Sequence, residues 1–252
     1  MMTDIDEALD WQGNPVCCDN CAHRALLAAG KCQLRRACVH DRYARRIDRF
    51  FAWNRELADG YLAHPYFEVR AIAAKFASVF HLPPLLEDAD ETVRFSALIR
   101  LPCKYLLKMR QDPDREVRIR VAYRLEGHDL LEMRADPDYY VRLVVARRLA
   151  PEMLHLMLHD EDREVRLTVT RRIGAEWLDR LERDEDADVR LEVARRLAGE
   201  KLAQLRDDPD WRVRYEVASR GEKEQILPLL DDKDDLVREM ARSRLKGEEM
   251  TS

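Results

Sequence analysis

The sequence predicts an all-α solenoid of eight short repeats, preceded by a small cysteine-rich helical module. A Val-Arg pair recurs eight times at a constant spacing of 24 residues. Charged residues make up 37% of the chain and aromatic residues 7%, which suits helices with solvated faces better than sheets. Five of the six cysteines lie in the first 38 residues. We therefore expect a cysteine-rich module and N-terminal cap at residues 1–63 and the solenoid at residues 64–252.

The Val-Arg pair marks the same position in every repeat. An aspartate precedes seven of the valines by five residues, and a second aspartate precedes them by three. The first repeat has His64 and Tyr66 at these two positions instead. Eight matches in one register indicate a repeat architecture. The pairs begin at Val69, Val93, Val117, Val141, Val165, Val189, Val213 and Val237.

Each repeat carries the pattern of one amphipathic helix followed by one shorter segment. Val141, Val145 and Leu149 are spaced by four residues and form a single stripe on an α-helix of about three turns. Asp138 stands where a helix N-cap is expected. A second apolar pair, such as Leu154 and Met157, follows at a spacing of three. Because 24 residues leave room for only a brief second helix, we expect α and 3₁₀ helices to alternate.

The arginines of the repeat fall into two groups. The arginine directly after each valine faces partly inward, so it needs an anionic partner. The recurring aspartates predict an Asp–Arg ladder that joins neighbouring repeats. The arginines six and seven residues after the valine are expected to face solvent, either as a solvated face or as a basic stripe for nucleic-acid phosphates. Carboxylates such as Glu192, Glu200 and Glu216 are interspersed with them and reduce the positive charge. The solvent-facing pairs are Arg147-Arg148, Arg171-Arg172 and Arg195-Arg196.

The N-terminal cysteines are spaced as metal ligands. Cys18 and Cys21 form a Cys-x-x-Cys pair, which lets two thiolates from one turn bind adjacent positions of a metal centre. Cys32 and Cys38 complete a set of four, and Cys17 is the alternative to Cys18. The spacing does not distinguish an iron–sulfur cluster from zinc, and thiols without metal or in disulfides are a third reading.

Three nearby residues receive other interpretations. His23 and His40 are close to the cysteines in sequence, and we expect them at the surface or beside the ligands rather than among them. Cys103 lies in the second repeat and is expected to be a small buried hydrophobic residue.

The segment after the last of these cysteines predicts a helix that attaches the module to the first repeat. Tyr43, Ile47, Phe50 and Phe51 are at helical spacing. A terminal repeat needs its apolar face covered, so the module can serve as the cap. The excess of arginines in this segment suits an acidic redox partner.

The repeats resemble the leucine-rich repeat variant family. Its unit reads Asp-Pro-Asp-x-x-Val-Arg-x-x-Val-Ala-x-x-Leu, as at Asp112 to Leu125 and Asp208 to Ala218. The resemblance covers about residues 64 to 247 and implies a right-handed superhelix of alternating α and 3₁₀ helices. The cysteine-rich start is similar to that of the family's iron–sulfur member, which implies one [4Fe–4S] cluster at the cysteine site, with zinc as the alternative. The resemblance implies no particular activity.

Motifs for catalysis are missing from the sequence. It contains no glycine-rich phosphate loop, no His-Glu-x-x-His and no Gly-x-Ser-x-Gly, so we expect no enzyme. The formal net charge of −5 does not favour nucleic acid as the main partner. The chain begins without a signal-peptide pattern and has no run of about 18 apolar residues, so we expect a cytoplasmic protein without membrane contact.

The expected function is that of an iron–sulfur protein whose solenoid is a protein-binding scaffold, with a cluster that is redox-active or sensing. One alternative is a nucleic-acid-binding solenoid with a structural metal cap. Another is an electron donor to a partner enzyme. A metal that only staples the N-terminal cap is the simplest reading beside all three.

Overall fold

The computed structural model describes residues 7–249, with side chains up to residue 246. The chain forms two compact units, Met1–Leu125 and Glu126–Ser252. The first contains α1 (Arg24–Ala28), α2 (Ala44–Trp53), α3 (Phe67–Phe76), α4 (Glu91–Leu98), α5 (Cys103–Leu106) and α6 (Arg115–Ala122). Its 3₁₀ helices are Arg55–Tyr61, Val79–His81, Pro83–Glu87 and Leu107–Gln111.

The second unit is built in the same way. Its α-helices are α7 (Gly127–Leu131), α8 (Tyr139–Arg148), α9 (Arg163–Arg172), α10 (Ala187–Arg196), α11 (Gly199–Ala203), α12 (Trp211–Arg220), α13 (Lys223–Ile226) and α14 (Asp235–Glu249). Its 3₁₀ helices are Glu132–Ala135, Pro151–Met157, Ala175–Leu181 and Leu227–Asp231.

The predicted fold class, an all-α repeat protein with a cysteine-rich helical module, is confirmed. Apart from two isolated bridges, Leu9 with Pro15 and Gln33 with Ala37, the described residues contain no β-structure. The second segment of a repeat is not always 3₁₀ throughout, because in several repeats it starts with an α-helical turn, as at Gly127–Leu131. Such short segments lie near the boundary between the two hydrogen-bond patterns, so a few residues decide which one forms.

The start of the main helix is set by the second aspartate of the repeat. The carboxylate of Asp138 accepts hydrogen bonds from the backbone N–H groups of Tyr140 and Val141, as predicted for an N-cap. Asp90, Asp114, Asp162, Asp186 and Asp210 cap their helices in the same way. In the first repeat Tyr66 occupies this position and makes no side-chain cap.

The apolar stripe of each repeat forms the core. Val141, Val145 and Leu149 are at most 1% exposed, and Leu154 and Met157 of the following segment are also buried. Successive main helices pack on one another, as α3 does on α4 and α8 on α9. The stripe is therefore covered by neighbouring repeats, as solenoid packing requires.

The predicted Asp–Arg ladder is present in both units. The Nε and Nη2 atoms of Arg94 each donate to a carboxylate oxygen of Asp112 at 2.8 Å, and its Nη1 donates to the backbone carbonyl of Asp88 at 2.9 Å. Each pair joins an arginine to the aspartate 18 residues later, in the next repeat. The pairs are Arg70–Asp88, Arg94–Asp112, Arg142–Asp160, Arg166–Asp184, Arg190–Asp208 and Arg214–Asp232.

The arginine seven residues after the valine does not face solvent, so this part of the sequence prediction is wrong. Arg172 is half-buried, and its Nη1 and Nη2 donate to the carbonyls of Ala146 and Leu149 in the preceding repeat, at 2.5 and 2.8 Å. These carbonyls end the preceding helix and have no partner within it, so the guanidinium caps them. Arg100, Arg124, Arg196 and Arg220 make equivalent bonds.

The helix that follows the cysteines packs on the first repeat, as predicted. Ile47, Phe50 and Phe51 of α2 are buried, and α2 packs on α3. The ring of Phe51 stacks on Phe76 at a centroid distance of 6.2 Å. Trp11 stacks on Tyr66, which occupies the cap position of the first repeat. Aromatic residues thus take the place of the aspartate ladder where the module meets the repeats.

No helix in the part of the chain that the structure describes is both long enough and apolar enough to span a membrane.

Candidate metal centre

All six cysteines carry free thiols, but they differ in exposure. Cys32 and Cys38 are buried, Cys18 and Cys21 are half-buried, and Cys17 and Cys103 are exposed. The four cysteines chosen from the sequence as ligands are therefore the four that are withdrawn from solvent.

The loop that carries Cys32 and Cys38 is fixed to α2. Asn54 is fully buried, and its Nδ2 donates to the carbonyls of Lys31 and Phe50, both at 2.8 Å. Arg49 donates to the carbonyl of Arg36 at 3.0 Å. These bonds hold both ends of the loop against the helix, so the positions of the two buried thiols depend on α2.

The pKa values of the thiols link four cysteines to one another. Burial raises the pKa of Cys32, and so does the negative charge of Cys18 and Cys21. Burial also raises the pKa of Cys38 to about 11, with further contributions from Cys32, Asp41 and Cys21. The pKa of Cys18 is raised by burial and then by Cys21, Cys17 and Asp19. The four thiols therefore lie within range of one another's charge.

This donor set suits a metal centre. Metal ligation requires deprotonated thiols, and buried thiolates that repel one another need positive charge nearby. No cation contributes to the raised pKa values of Cys18, Cys32 and Cys38. As placed, no group of three or more His, Cys, Asp or Glu side chains in the described part of the chain could hold a metal ion. Ligation would thus draw the thiols closer together.

Cys17 differs from the other four N-terminal cysteines because it is exposed. Its thiol is exposed and is 3.8 Å from a carboxylate oxygen of Asp19. Of the neighbouring thiols, Cys18 is influenced by the charge of both Cys17 and Cys21. Within the Cys17-Cys18 pair, Cys18 is thus the residue on the side of Cys21 and Cys32.

Two histidines contact the cysteines through their backbone. The N–H of His23 donates to the sulfur of Cys21 at 3.4 Å. The backbone of His40 opposes the rise in the pKa of the Cys38 thiol. Their rings stack at a centroid distance of 6.0 Å, and burial lowers the pKa of both. The repeated Cys-x-His spacing is the sequence signal for this arrangement.

Tyr61 is a residue of the site that sequence reasoning missed. Its hydroxyl is hydrogen-bonded to the ring of His23. Burial raises its pKa to about 12, with contributions from the charge of Cys21 and Cys38. Tyr61 is 23 residues beyond Cys38 at the end of a 3₁₀ helix, so no local spacing connects it with the cysteines.

Cys103 is exposed, so the prediction that it is a small buried residue is wrong. It is the first residue of α5, where the chain follows Pro102 at the surface. Its thiol approaches only the carbonyl of Arg124, at 3.8 Å. It has no part in the cysteine site.

Comparison with known proteins defines the class of this molecule. Residues 8–60 match the family described as the LRV protein FeS4 cluster. A solved structure, described as a leucine-rich repeat variant with a novel repetitive protein structural motif, is 42% identical, with a TM-score of 0.82. The alignment covers 91% of this chain and 98% of that one. The cysteine-rich module and the repeat fold together define the class of this molecule, which is an iron–sulfur repeat protein.

The chain belongs to the leucine-rich repeat variant family. It is also similar to a protein of Rhodobacter capsulatus described as an uncharacterized 27.7 kDa protein in the nifB 3′ region. The two are 51% identical over 104 residues, which is 41% of this chain and 42% of that relative.

Proposed function

We propose that this chain binds one [4Fe–4S] cluster through Cys18, Cys21, Cys32 and Cys38, that the cluster is redox-active or sensing, and that the repeats are a protein-binding scaffold. The observation that carries the proposal is that these four cysteines are the less exposed ones and lie within residues 8–60, which match the iron–sulfur family. When bound, the cluster supplies reversible one-electron transfer. The six free thiols fit a reducing compartment, so we expect the protein to work in the cytoplasm.

The residues around the cysteines tune the site. The N–H of His23 donates to the sulfur of Cys21, and such a hydrogen bond withdraws charge from the ligand. The backbone of His40 acts in the same direction on Cys38, because it lowers the pKa of that thiol. Tyr61 holds the ring of His23 through its hydroxyl. Asn54 anchors the loop at Lys31, next to Cys32, whose side chain is buried.

The outer surface of the repeats supports a protein-binding role. Ile99 and Tyr123 are 41% and 43% exposed and stand at equivalent positions in successive repeats. Phe95 lies on the same side, with the guanidinium of Arg120 4.9 Å from its ring centroid. Exposed apolar and aromatic residues flanked by charge are typical of protein interfaces. We propose no catalytic residues for this surface.

Nucleic-acid binding by the repeats is a weaker alternative. The exposed Arg171 and Arg195 lie 3.8 and 3.4 Å from Glu192 and Glu216. The adjacent Arg172 and Arg196 are used for helix capping. The predicted basic stripe is therefore mostly neutralised or used internally, and few cations remain for phosphates.

Anaerobic purification with iron, sulfide and zinc analysis tests the proposal. We expect about four irons and four sulfides per chain and an absorbance near 400 nm that dithionite bleaches. Cys32→Ser and Cys38→Ser should lose most of the iron, and so should Cys18→Ser and Cys21→Ser. Cys17→Ser and Cys103→Ser are the controls and should keep the cluster.

Other outcomes have defined meanings. Zinc without sulfide would overturn the iron–sulfur assignment. If Cys17→Ser loses its iron and Cys18→Ser keeps it, the fourth ligand is Cys17 and not Cys18. If neither reductants nor oxidants change the spectrum of the cluster, the redox role is overturned and the cluster has only a structural role.

A further inference from the structure

The most basic segment of the chain surrounds the cysteine loop. Residues 31–55 contain eight arginines or lysines and two aspartates, a net charge of +6, whereas the whole chain has −5. The remaining residues therefore carry 36 basic and 47 acidic side chains. The segment that includes Cys32, Cys38 and α2 is thus strongly basic, although the chain as a whole is acidic.

Most of this charge is exposed and lacks a carboxylate partner. Six of the eight cations are exposed, and among residues 7–246 none of the six forms an ion pair with a carboxylate. In the repeats, by contrast, the ladder arginines are each neutralised by an aspartate. We call these six the cationic patch: Lys31, Arg35, Arg36, Arg45, Arg49 and Arg55.

The patch is connected to the cysteine site by direct contacts. Arg35 and Arg36 are in the loop between Cys32 and Cys38, and Arg49 of α2 donates to the carbonyl of Arg36. The guanidinium of Arg36 lies 5.9 Å from the ring centroid of Trp53, which is 37% exposed. Exposed arginine and tryptophan are the residue types that most often dominate protein interfaces.

We propose that the cationic patch is the docking surface for an acidic protein, an electron carrier that exchanges electrons with the cluster. This inference rests on the redox function proposed above. Charge complementarity of this kind raises association rates and orients the partner. Docking here would bring the partner onto the loop that carries Cys32 and Cys38, two of the residues that would hold the cluster.

A protein fits this surface better than a nucleic acid. The helix α2 is about 15 Å long, so the patch contacts few phosphates of an extended chain. The excess of acidic residues elsewhere disfavours a long polyanion, while a compact acidic protein touches only the patch.

Binding to an acidic plant-type ferredoxin, used as the probe, tests the proposal with cluster-loaded protein. We expect affinity to fall steeply between about 20 and about 200 mM salt. The variant Arg35→Glu/Arg45→Glu should bind about tenfold more weakly at low salt or worse. A control variant with the same net charge, Arg147→Glu/Arg183→Glu in the second unit, should bind within about twofold of the wild type. A second patch variant, Arg45→Glu/Arg55→Glu, avoids the ligand loop in case Arg35 affects cluster retention.

The result has four readings. Weakening confined to the patch variants, with unchanged iron content, supports the docking surface. Equal weakening in the control, or no saturable binding, overturns it. Tighter binding of a single-stranded oligonucleotide of about 20 nucleotides overturns it in favour of nucleic acid. Patch-dependent ferredoxin binding by a cluster that dithionite does not reduce supports the docking surface and overturns the redox function.

Discussion

The buried ladder arginines of the repeats and the exposed arginines of the cysteine-rich module differ in what they contact. In the repeats, Arg94 and Arg166 are buried, and each binds an aspartate 18 residues later and a backbone carbonyl of its own repeat. In the module, Arg35 and Arg45 are exposed and lack a carboxylate partner among residues 7–246. The first group stabilises the fold, and the second leaves its charge available to a partner.

The difference teaches that arginine content alone does not indicate a binding surface. The repeats contain more arginine than the module, yet their guanidiniums are bound by aspartates and helix-end carbonyls. Desolvating a guanidinium is costly, so the buried ones must keep all their partners. Removing a partner should therefore destabilise the repeats, while the exposed arginines of the cationic patch should be dispensable for folding. Arg46 of the module is buried and paired with Asp41 at 2.8 Å, so it belongs with the arginines that stabilise the fold.

The largest effect is expected for Asp112→Ala. The Asp112 carboxylate is 2% exposed, and its loss leaves the buried guanidinium of Arg94 without its anion. We expect the free energy of unfolding to fall by about 3–5 kcal/mol in urea titrations followed by circular dichroism. Asp207→Ala, at an 85% exposed carboxylate, is the control. A loss below about 1 kcal/mol for Asp112→Ala would contradict a stabilising ladder.

An intermediate effect is expected for Arg172→Ala, which removes a helix cap. The two carbonyls of the preceding repeat lose their donor, so stability should fall by about 1–3 kcal/mol. Arg45→Ala in the module is the matched control and should stay within about 0.5 kcal/mol. Equal losses in the two variants would remove the distinction between the two groups of arginines.

The smallest effect is a pH dependence at the Arg214–Asp232 pair. The hydrogen bond from Arg214 lowers the pKa of Asp232 in the folded protein. The resulting stability is present above the unfolded pKa, about 3.9, and is lost as the pH falls through the lowered folded value. Asp232→Asn should therefore lose less stability than the wild type when thermal unfolding is compared at pH 7 and in that acidic range. Identical pH dependence would show that the pair does not contribute.

Features that depend on repeated side chains were predictable from the sequence. The N-cap at Asp138 and the ladder pairs were expected because both partners recur every 24 residues. The contacts of Arg172 were not, since its acceptors are backbone carbonyls 23 and 26 residues earlier, and carbonyls leave no mark in the sequence. The same limit applies to secondary structure in the short second segments, where α and 3₁₀ turns differ little in energy.

The sequence predicted a cysteine-rich iron–sulfur module at this end of the chain, and the choice of its four ligands stays a prediction. Spacing selected Cys18, Cys21, Cys32 and Cys38, and these are the four thiols that are shielded from solvent. The contact of Tyr61 with His23 depends on how the module folds back on itself. Such a contact between distant positions requires the tertiary structure.

The two kinds of arginine contact in the repeats give the array translational symmetry along the sequence. Each of the six ladder arginines named above binds an aspartate 18 residues ahead, and Arg172 and its four equivalents bind carbonyls 23 and 26 residues behind. Deleting one complete 24-residue period inside the array would leave both relations intact for the joined neighbours. Deleting any other number would break them at the junction. Evolution can therefore change the length of this protein in whole periods while each remaining interface keeps its chemistry.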